Sequence, residues 1–518
     1  MIKHKSSIDK MEKIMNRLAF FPAPIFKKIE KLLRNLSSVE KEINKQTDSV
    51  ISGLKKELKP YSKTFETYSA LPEIGVKNDD ILKIIGDISS KEESRWKDGF
   101  VSGAVYHGDP DHIEFMNKVY ALQSQSNPLH SDLFPSASKF ESEIVSMTAE
   151  ILGSNKTPDE ICGTVNSGGT ESILLAMKTY RDWAKKTKGI TRPEMVVPIT
   201  AHAAFDKAGE YFGIKIIRTE VDENFKADIK SIKKATSRNT IVIVGSAISF
   251  PHGVIDPIQE LSEFSHRRDI GFHVDACLGG YVLPWAKQLG YNVPDFDFVL
   301  PGVTSISVDT HKFGYTAKGT SVILYRGREL RKFQFYTITD WPGGMYFSPT
   351  FAGSRAGALS AVCWATLISI GKKGYLDSVS KILASAKEIK QGIEEVPELK
   401  ILGDPLWVIA FASDELDIYQ VMEQMTQKGW NLNGLYKPAC IHICVTLRHT
   451  QNGVTKRFAN DLKESVEWVK ENPDEKSGMA PVYGMAANVP LRSIIDDILI
   501  EYMDVYYQID DDKKDCNT

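Results

Sequence analysis

Ser307-Val308-Asp309-Thr310-His311-Lys312-Phe313-Gly314-Tyr315 decides how this chain reads, because a short apolar run of β type ends there on a lysine. An earlier run of the same kind, Gly271-Phe272-His273-Val274, leads into Asp275-Ala276. An amine and a carboxylate therefore stand at the ends of two predicted strands. Further short apolar runs at 195–199, 215–218, 240–244, 296–300 and 321–325 are interspersed with helical stretches such as 141–152 and 171–186. Short buried strands separated by helices predict an α/β domain with a mostly parallel central sheet.

At 518 residues the chain exceeds one ordinary core. The predicted divisions are 1–110, a helical N-terminal segment with its following loops; 111–360, a large domain; and 361–518, a smaller α+β domain whose acidic tail frays. The stretch 95–140, which spans the first boundary, reads as loop-rich. Hydrophobic residues make up 42% and charged residues 25%, the balance of an ordinary globular protein. The net charge of −3 gives no basic surplus for a nucleic-acid partner. Six cysteines in so long a chain do not make a disulfide framework, and a cytoplasmic location is expected. No signal peptide and no transmembrane stretch is predicted. Ile25, Ile29, Leu32, Leu33 and Leu36 recur at helical spacing behind Phe20-Phe21-Pro22, with Lys27, Lys28, Lys31 and Arg34 on other faces. Such a helix ordinarily packs on protein; its basic face also suits peripheral contact with an anionic membrane through residues 20–36.

Pyridoxal 5′-phosphate (PLP) chemistry needs a lysine amine to bond the cofactor aldehyde and a carboxylate beside the pyridine nitrogen, roles that Lys312 and Asp275 fit. Asn166-Ser167-Gly168-Gly169-Thr170 runs into a helical stretch, and exposed N–H groups at a helix start suit a phosphate, although Gly-Gly-Thr also makes ordinary caps. His202 follows the run 195–199, where an imidazole can stack on a ring. Gly353-Ser354-Arg355-Ala356-Gly357 offers a hydroxyl and a guanidinium on a glycine-flanked loop. Lys318 adds a second cation six residues after Lys312, and is expected to help hold Lys312 unprotonated.

The string His273-Val-Asp-Ala-Cys-Leu-Gly-Gly-Tyr281, with Ser307 to Tyr315 and Phe250-Pro-His-Gly-Val-Ile-Asp-Pro257, resembles the sphingosine-1-phosphate lyases of soluble bacterial type. These are PLP enzymes of fold type I, related to the group II amino-acid decarboxylases. The likeness spans about 95–460 and includes 127–135 and 442–450. It implies the architecture of the PLP-dependent transferases (aspartate aminotransferase, fold type I). It also implies that Lys312 carries the Schiff base, that Asp275 pairs with the pyridinium and that His202 covers the ring. Gly169, Thr170, His311 and Ser354 are implied at the cofactor phosphate, Ser354 from the partner of a homodimer with shared active sites. Tyr106, Asn127, His130 and Lys318 are implied at the substrate phosphate. The implied reaction is retro-aldol cleavage of a phosphorylated sphingoid base to a long-chain aldehyde and phosphoethanolamine. Lys318, Tyr106 and His202 are its candidates for proton transfer. Phe250 stands where some members carry a tyrosine.

Two other functions use the same residues: a PLP-dependent decarboxylase, and an inactive PLP-binding scaffold at a membrane surface. Cys440, His442 and Cys444 alternate and would share one strand face; a buried strand explains them better than zinc, since no fourth ligand is evident, and no metal is expected.

Overall fold

The computed structural model describes residues 51–53, 55, 58–473 and 492–509. The basic segment 20–36 and the acidic tail 510–518 lie outside them. The chain divides into two units, one of 95–433 with 440–473, the other of the residues up to 94, 434–439 and those from 474 on. In the second of these, Lys59 Nζ donates to the Tyr506 carbonyl at 2.6 Å. Among the described residues no helix is long and apolar enough to cross a membrane.

The larger unit is built on a seven-stranded sheet. Its strands are β1 (Ile161–Asn166), β2 (Glu194–Pro198), β3 (Lys215–Thr219), β4 (Thr240–Ser246), β5 (Gly271–Asp275), β6 (Ser305–Val308) and β7 (Ser321–Arg326). They lie in the order β1-β7-β6-β5-β4-β2-β3. Neighbours from β3 to β6 pair in parallel, and β7 runs antiparallel to both β6 and β1. The mostly parallel sheet is thus present. β4, β5 and β6 are buried at every position, as strands covered on both faces by helices must be.

The helix Gly169–Lys188 packs Ile173, Leu175, Met177 and Tyr180 into the core formed with Val242, Val244 and Ile323. Each such side chain contributes about 1.5–3 kcal/mol by leaving water. The Tyr180 hydroxyl also lies 2.6 Å from Ser305 Oγ, so this helix is fixed against β6. A second sheet holds Lys400–Ile401, Val408–Ala412 and Cys440–Cys444 in antiparallel pairing, beside the long helix Gly357–Glu394.

Two expectations change. Residues 296–300 form a turn rather than a strand. Phe296, Phe298 and Leu300 are buried, which produced the alternation. Their backbone is satisfied without a strand ladder: Asp297 accepts from the Val299 N–H, and the Arg326 guanidinium, from the end of β7, donates to the Phe298 and Leu300 carbonyls. The loop-rich stretch 95–140 contains a helix, Pro110–Gln123, started by the Asp109 side chain and by proline in its first turn.

One glycine ties the turn after β4 to the second sheet. Gly253 has φ +67°, and a Cβ there would sit 2.0 Å from the Val408 carbonyl oxygen. Gly253→Ala is therefore expected to cost at least about 2 kcal/mol, seen as a lower denaturation midpoint. A midpoint equal to wild type would show that this contact is not tight.

Candidate active site

β5 and β6 are parallel neighbours in register Asp275 with Ser307, so both strands finish at the same edge of the sheet. That edge is where open α/β sheets bind ligands. The loop after β6 carries Asp309, His311 and Lys312; the loop after β2 carries His202; and β1 leads directly into the helix that begins at Gly169. Together they enclose a cavity of about 340 Å³ lined by Gly169, Thr170, His202, Asp275, Cys277, Asp309, His311 and Lys312, among others.

Asp275 accepts from the Cys277 N–H at 3.1 Å and from Ser307 Oγ at 3.3 Å, which fixes its carboxylate. His202 accepts the Ala204 N–H at Nδ1, leaving Nε2 to carry the ring proton. Asn166 accepts the Gly168 N–H and donates to Ser172 Oγ, shaping the turn into the helix. The first-turn N–H groups that follow have no intrahelical acceptor. Glycine is required at 169, since a Cβ would lie 2.7 Å from Asp309 Oδ2 and 2.8 Å from Cys277 Sγ.

Asp309, three residues before Lys312, acquires a role only in the folded chain. Its Oδ2 lies 2.8 Å from Lys312 Nζ, and its side chain is 1% exposed. Burial is the largest influence and lowers the Lys312 pKa, but the Asp309 charge and hydrogen bond, together with the neighbouring Cys277 and Tyr106, outweigh it and hold the amine protonated. Lys318 shows the opposite balance. Burial first, then the Lys312 charge, bring it down to about 8. The expected direction is thus inverted, because the carboxylate is close to Lys312 and not to Lys318. The only signal in the sequence was an acid three residues before the lysine.

Tyr106 and Lys318 adjoin this centre. Lys318 Nζ stands 4.5 Å from the Tyr106 ring centroid, and the Tyr106 ring meets Phe313 edge-on at 4.9 Å. Burial raises the Tyr106 phenol well above its usual range, so it stays protonated. Asn127, His130 and Ser354 do not line the cavity in the same chain. Asn127 Oδ1 accepts the Arg355 N–H at 3.3 Å, joining the 127–130 and 354–355 loops, while His130 and Ser354 are exposed. The Arg355 guanidinium turns to Glu141, at 2.8 and 3.0 Å from its two oxygens, and not toward a phosphate. Phe250 lies edge-on to His202 and to His442. Cys440, His442 and Cys444 are buried in their strand, and the His442 ring bonds the Pro251 carbonyl.

The donor set fits PLP. Asp309 Oδ1 and His311 Nδ1 are buried at the cavity without hydrogen-bond partners among the described residues. Free helix-start N–H groups and a neutral, burial-lowered His311 suit a phosphate; Asp275 suits a pyridinium; and Lys312 suits an aldehyde.

Residues 72–411 match the model of the pyridoxal-dependent decarboxylase conserved domain. The chain is 46% identical over 483 residues to a sphingosine-1-phosphate lyase of Arabidopsis thaliana, covering 92% of this chain and 88% of that protein. It is 34% identical to a probable sphingosine-1-phosphate lyase of Legionella pneumophila, covering 89% and 80%. The solved structure of a Burkholderia pseudomallei sphingosine-1-phosphate lyase superposes with a TM-score of 0.81 at 40% identity, covering 87% of this chain and 99% of that one. A Lactobacillus brevis glutamate decarboxylase, at 18% identity and TM-score 0.67, shares the fold.

The contrast between the two lysines is open to measurement. In cofactor-free protein, acylation of Lys318 by an amine-selective reagent should rise about tenfold between about pH 7 and pH 9, while Lys312 stays nearly unlabelled. Peptide mass spectrometry reads both sites, and equal labelling would refute the assigned charge states.

Proposed function

The chain belongs to the pyridoxal-dependent decarboxylase family and, within it, to the sphingosine-1-phosphate lyases, and from this we propose that it cleaves phosphorylated sphingoid bases to a long-chain aldehyde and phosphoethanolamine. When bound, PLP supplies an electron sink that accepts the electron pair of the breaking C2–C3 bond.

The chain's own residues then divide the work. Asp275 keeps the pyridine nitrogen protonated, helped by the Ser307 and Cys277 bonds that aim it. His202 covers the ring face. Gly169, Thr170 and His311 hold the cofactor phosphate, and Lys312 anchors the aldehyde. Lys318 accepts the proton of the C3 hydroxyl, since at about 8 it has a usable neutral fraction near neutral pH. Once protonated it is a cation for the substrate phosphate. Tyr106, held protonated, serves there as a donor. The observation that carries this reading is the placement of Lys318 over the Tyr106 ring beside Lys312: a depressed amine and a protonated phenol suit a phosphate monoester carrying a hydroxyl.

Asn127, His130 and Ser354 complete the phosphate sites from the partner of a homodimer. Their grouping through the Asn127–Arg355 bond, outside the chain's own cavity, supports this assignment.

Incubation with sphingosine 1-phosphate should yield aldehyde and phosphoethanolamine without CO₂. Lys312→Ala should lose the visible absorbance of the bound cofactor and at least about ten-thousand-fold in turnover. Release of CO₂ from an amino acid, with no aldehyde, would favour a decarboxylase. Shared sites predict that mixing refolded Lys312→Ala and Ser354→Asp chains recovers about a quarter of wild-type activity, because half the dimers are mixed and each has one intact site. A fully active monomer would overturn that arrangement.

A further inference from the structure

An amine cannot attack a carbonyl while it is an ammonium, so Lys312 must lose a proton before it can join the cofactor. Its nearest anion is Asp309, 2.8 Å away and shut off from water. Asp309 Oδ1 has no hydrogen-bond partner among the described residues, so this buried carboxylate relies on Lys312 for compensation. It also lies against the helix start expected to hold the cofactor phosphate, as the 2.7 Å and 2.8 Å approaches at Gly169 show. Once Lys312 is consumed in a carbon–nitrogen bond, a charged Asp309 would face a phosphate with only the more distant Lys318 to offset it. Like charges so placed drive one of them to bind a proton.

We propose that Asp309 is the proton acceptor for Lys312. The Nζ–H bond breaks as an Oδ2–H bond forms, and the electron pair left on Nζ attacks the aldehyde carbon. The aldehyde oxygen leaves as water with the two remaining amine protons, giving the carbon–nitrogen double bond. Asp309 is left as a neutral acid beside the phosphate and can donate to it. When Lys312 is displaced by a substrate amine, Asp309 returns the proton. The inference rests on the PLP assignment and not on the identity of the substrate.

Other titratable groups also face the amine. Tyr106 comes from the loop before the helix Pro110–Gln123, Cys277 from the loop after β5, and Cys444 from the end of its strand; His311 and Lys318 share the loop of Lys312. Burial keeps the phenol and both thiols protonated and keeps His311 neutral. Lys318, at about 8, remains mostly charged below about pH 7.5 in the wild type; Asp309 raises it, so its charge is weaker in the asparagine and serine variants and is kept in Asp309→Glu.

The test follows the growth of visible absorbance when PLP is added to cofactor-free protein between about pH 6 and pH 7.5. With Asp309 present the proton moves internally, so the rate should be nearly independent of pH beyond the ionisations of PLP itself. In Asp309→Asn it must go to water, and the rate should climb with pH more steeply than in wild type, by up to about tenfold per unit. Asp309→Glu should restore the wild-type slope, which a merely structural role would not require. Asp309→Ser replaces the asparagine variant if melting shows the latter unfolded. Parallel pH profiles for wild type and the asparagine or serine variant overturn the proposal. A wild-type protein that takes up no PLP overturns the cofactor assignment and this proposal with it, whereas failure to cleave sphingosine 1-phosphate leaves the slopes unaffected.

Discussion

Parallel pairing of β5 with β6 is the constraint on which the site depends. Because Asp275 stands in register with Ser307, its carboxylate and the loop carrying Lys312 leave the sheet at one edge and on neighbouring strands. Ser307 does double duty, pairing in the ladder and donating its hydroxyl to Asp275. A slip of one residue in this register would turn Asp275 to the opposite face of the sheet. The helix from Gly169, held by Tyr180 against Ser305, brings its N-terminus to the same edge.

Around that edge, burial and charge divide the chemistry between two lysines on one short loop. Lys312 gains a carboxylate and keeps its proton; for Lys318 burial and the Lys312 charge outweigh the more distant Asp309, and it gives its proton up more readily. One amine thus suits covalent anchoring and the other proton transfer, although both are lysines six residues apart. The same low-exposure surroundings hold Tyr106 and Cys277 in their neutral forms, so the cavity presents few charges other than those of its acids and lysines.

Much of this was legible beforehand for a physical reason. Apolar runs report burial, and burial of both faces marks parallel strands, so a mostly parallel sheet with helices between its strands could be read from the residues. Asp275, Lys312, His202, Gly169 and Thr170 follow strand ends or open a helix, and loops at strand ends converge in this fold class. Burial without a ladder defeats the same signal: 296–300 alternates like a strand, but Arg326 and Asp297 satisfy its backbone as a turn.

By itself the sequence determined the fold class, the cofactor chemistry and the resemblance to the lyases, because these depend on residue types at spacings along one chain. Only the tertiary structure decided where charges pair. It set Asp309 rather than solvent beside Lys312, turned Arg355 to Glu141, and gathered Asn127 with the 354–355 loop away from the chain's own cavity. Side-chain direction and charge balance are settled by which elements fold against one another, at separations of 2.8 to 3.3 Å that no linear spacing encodes.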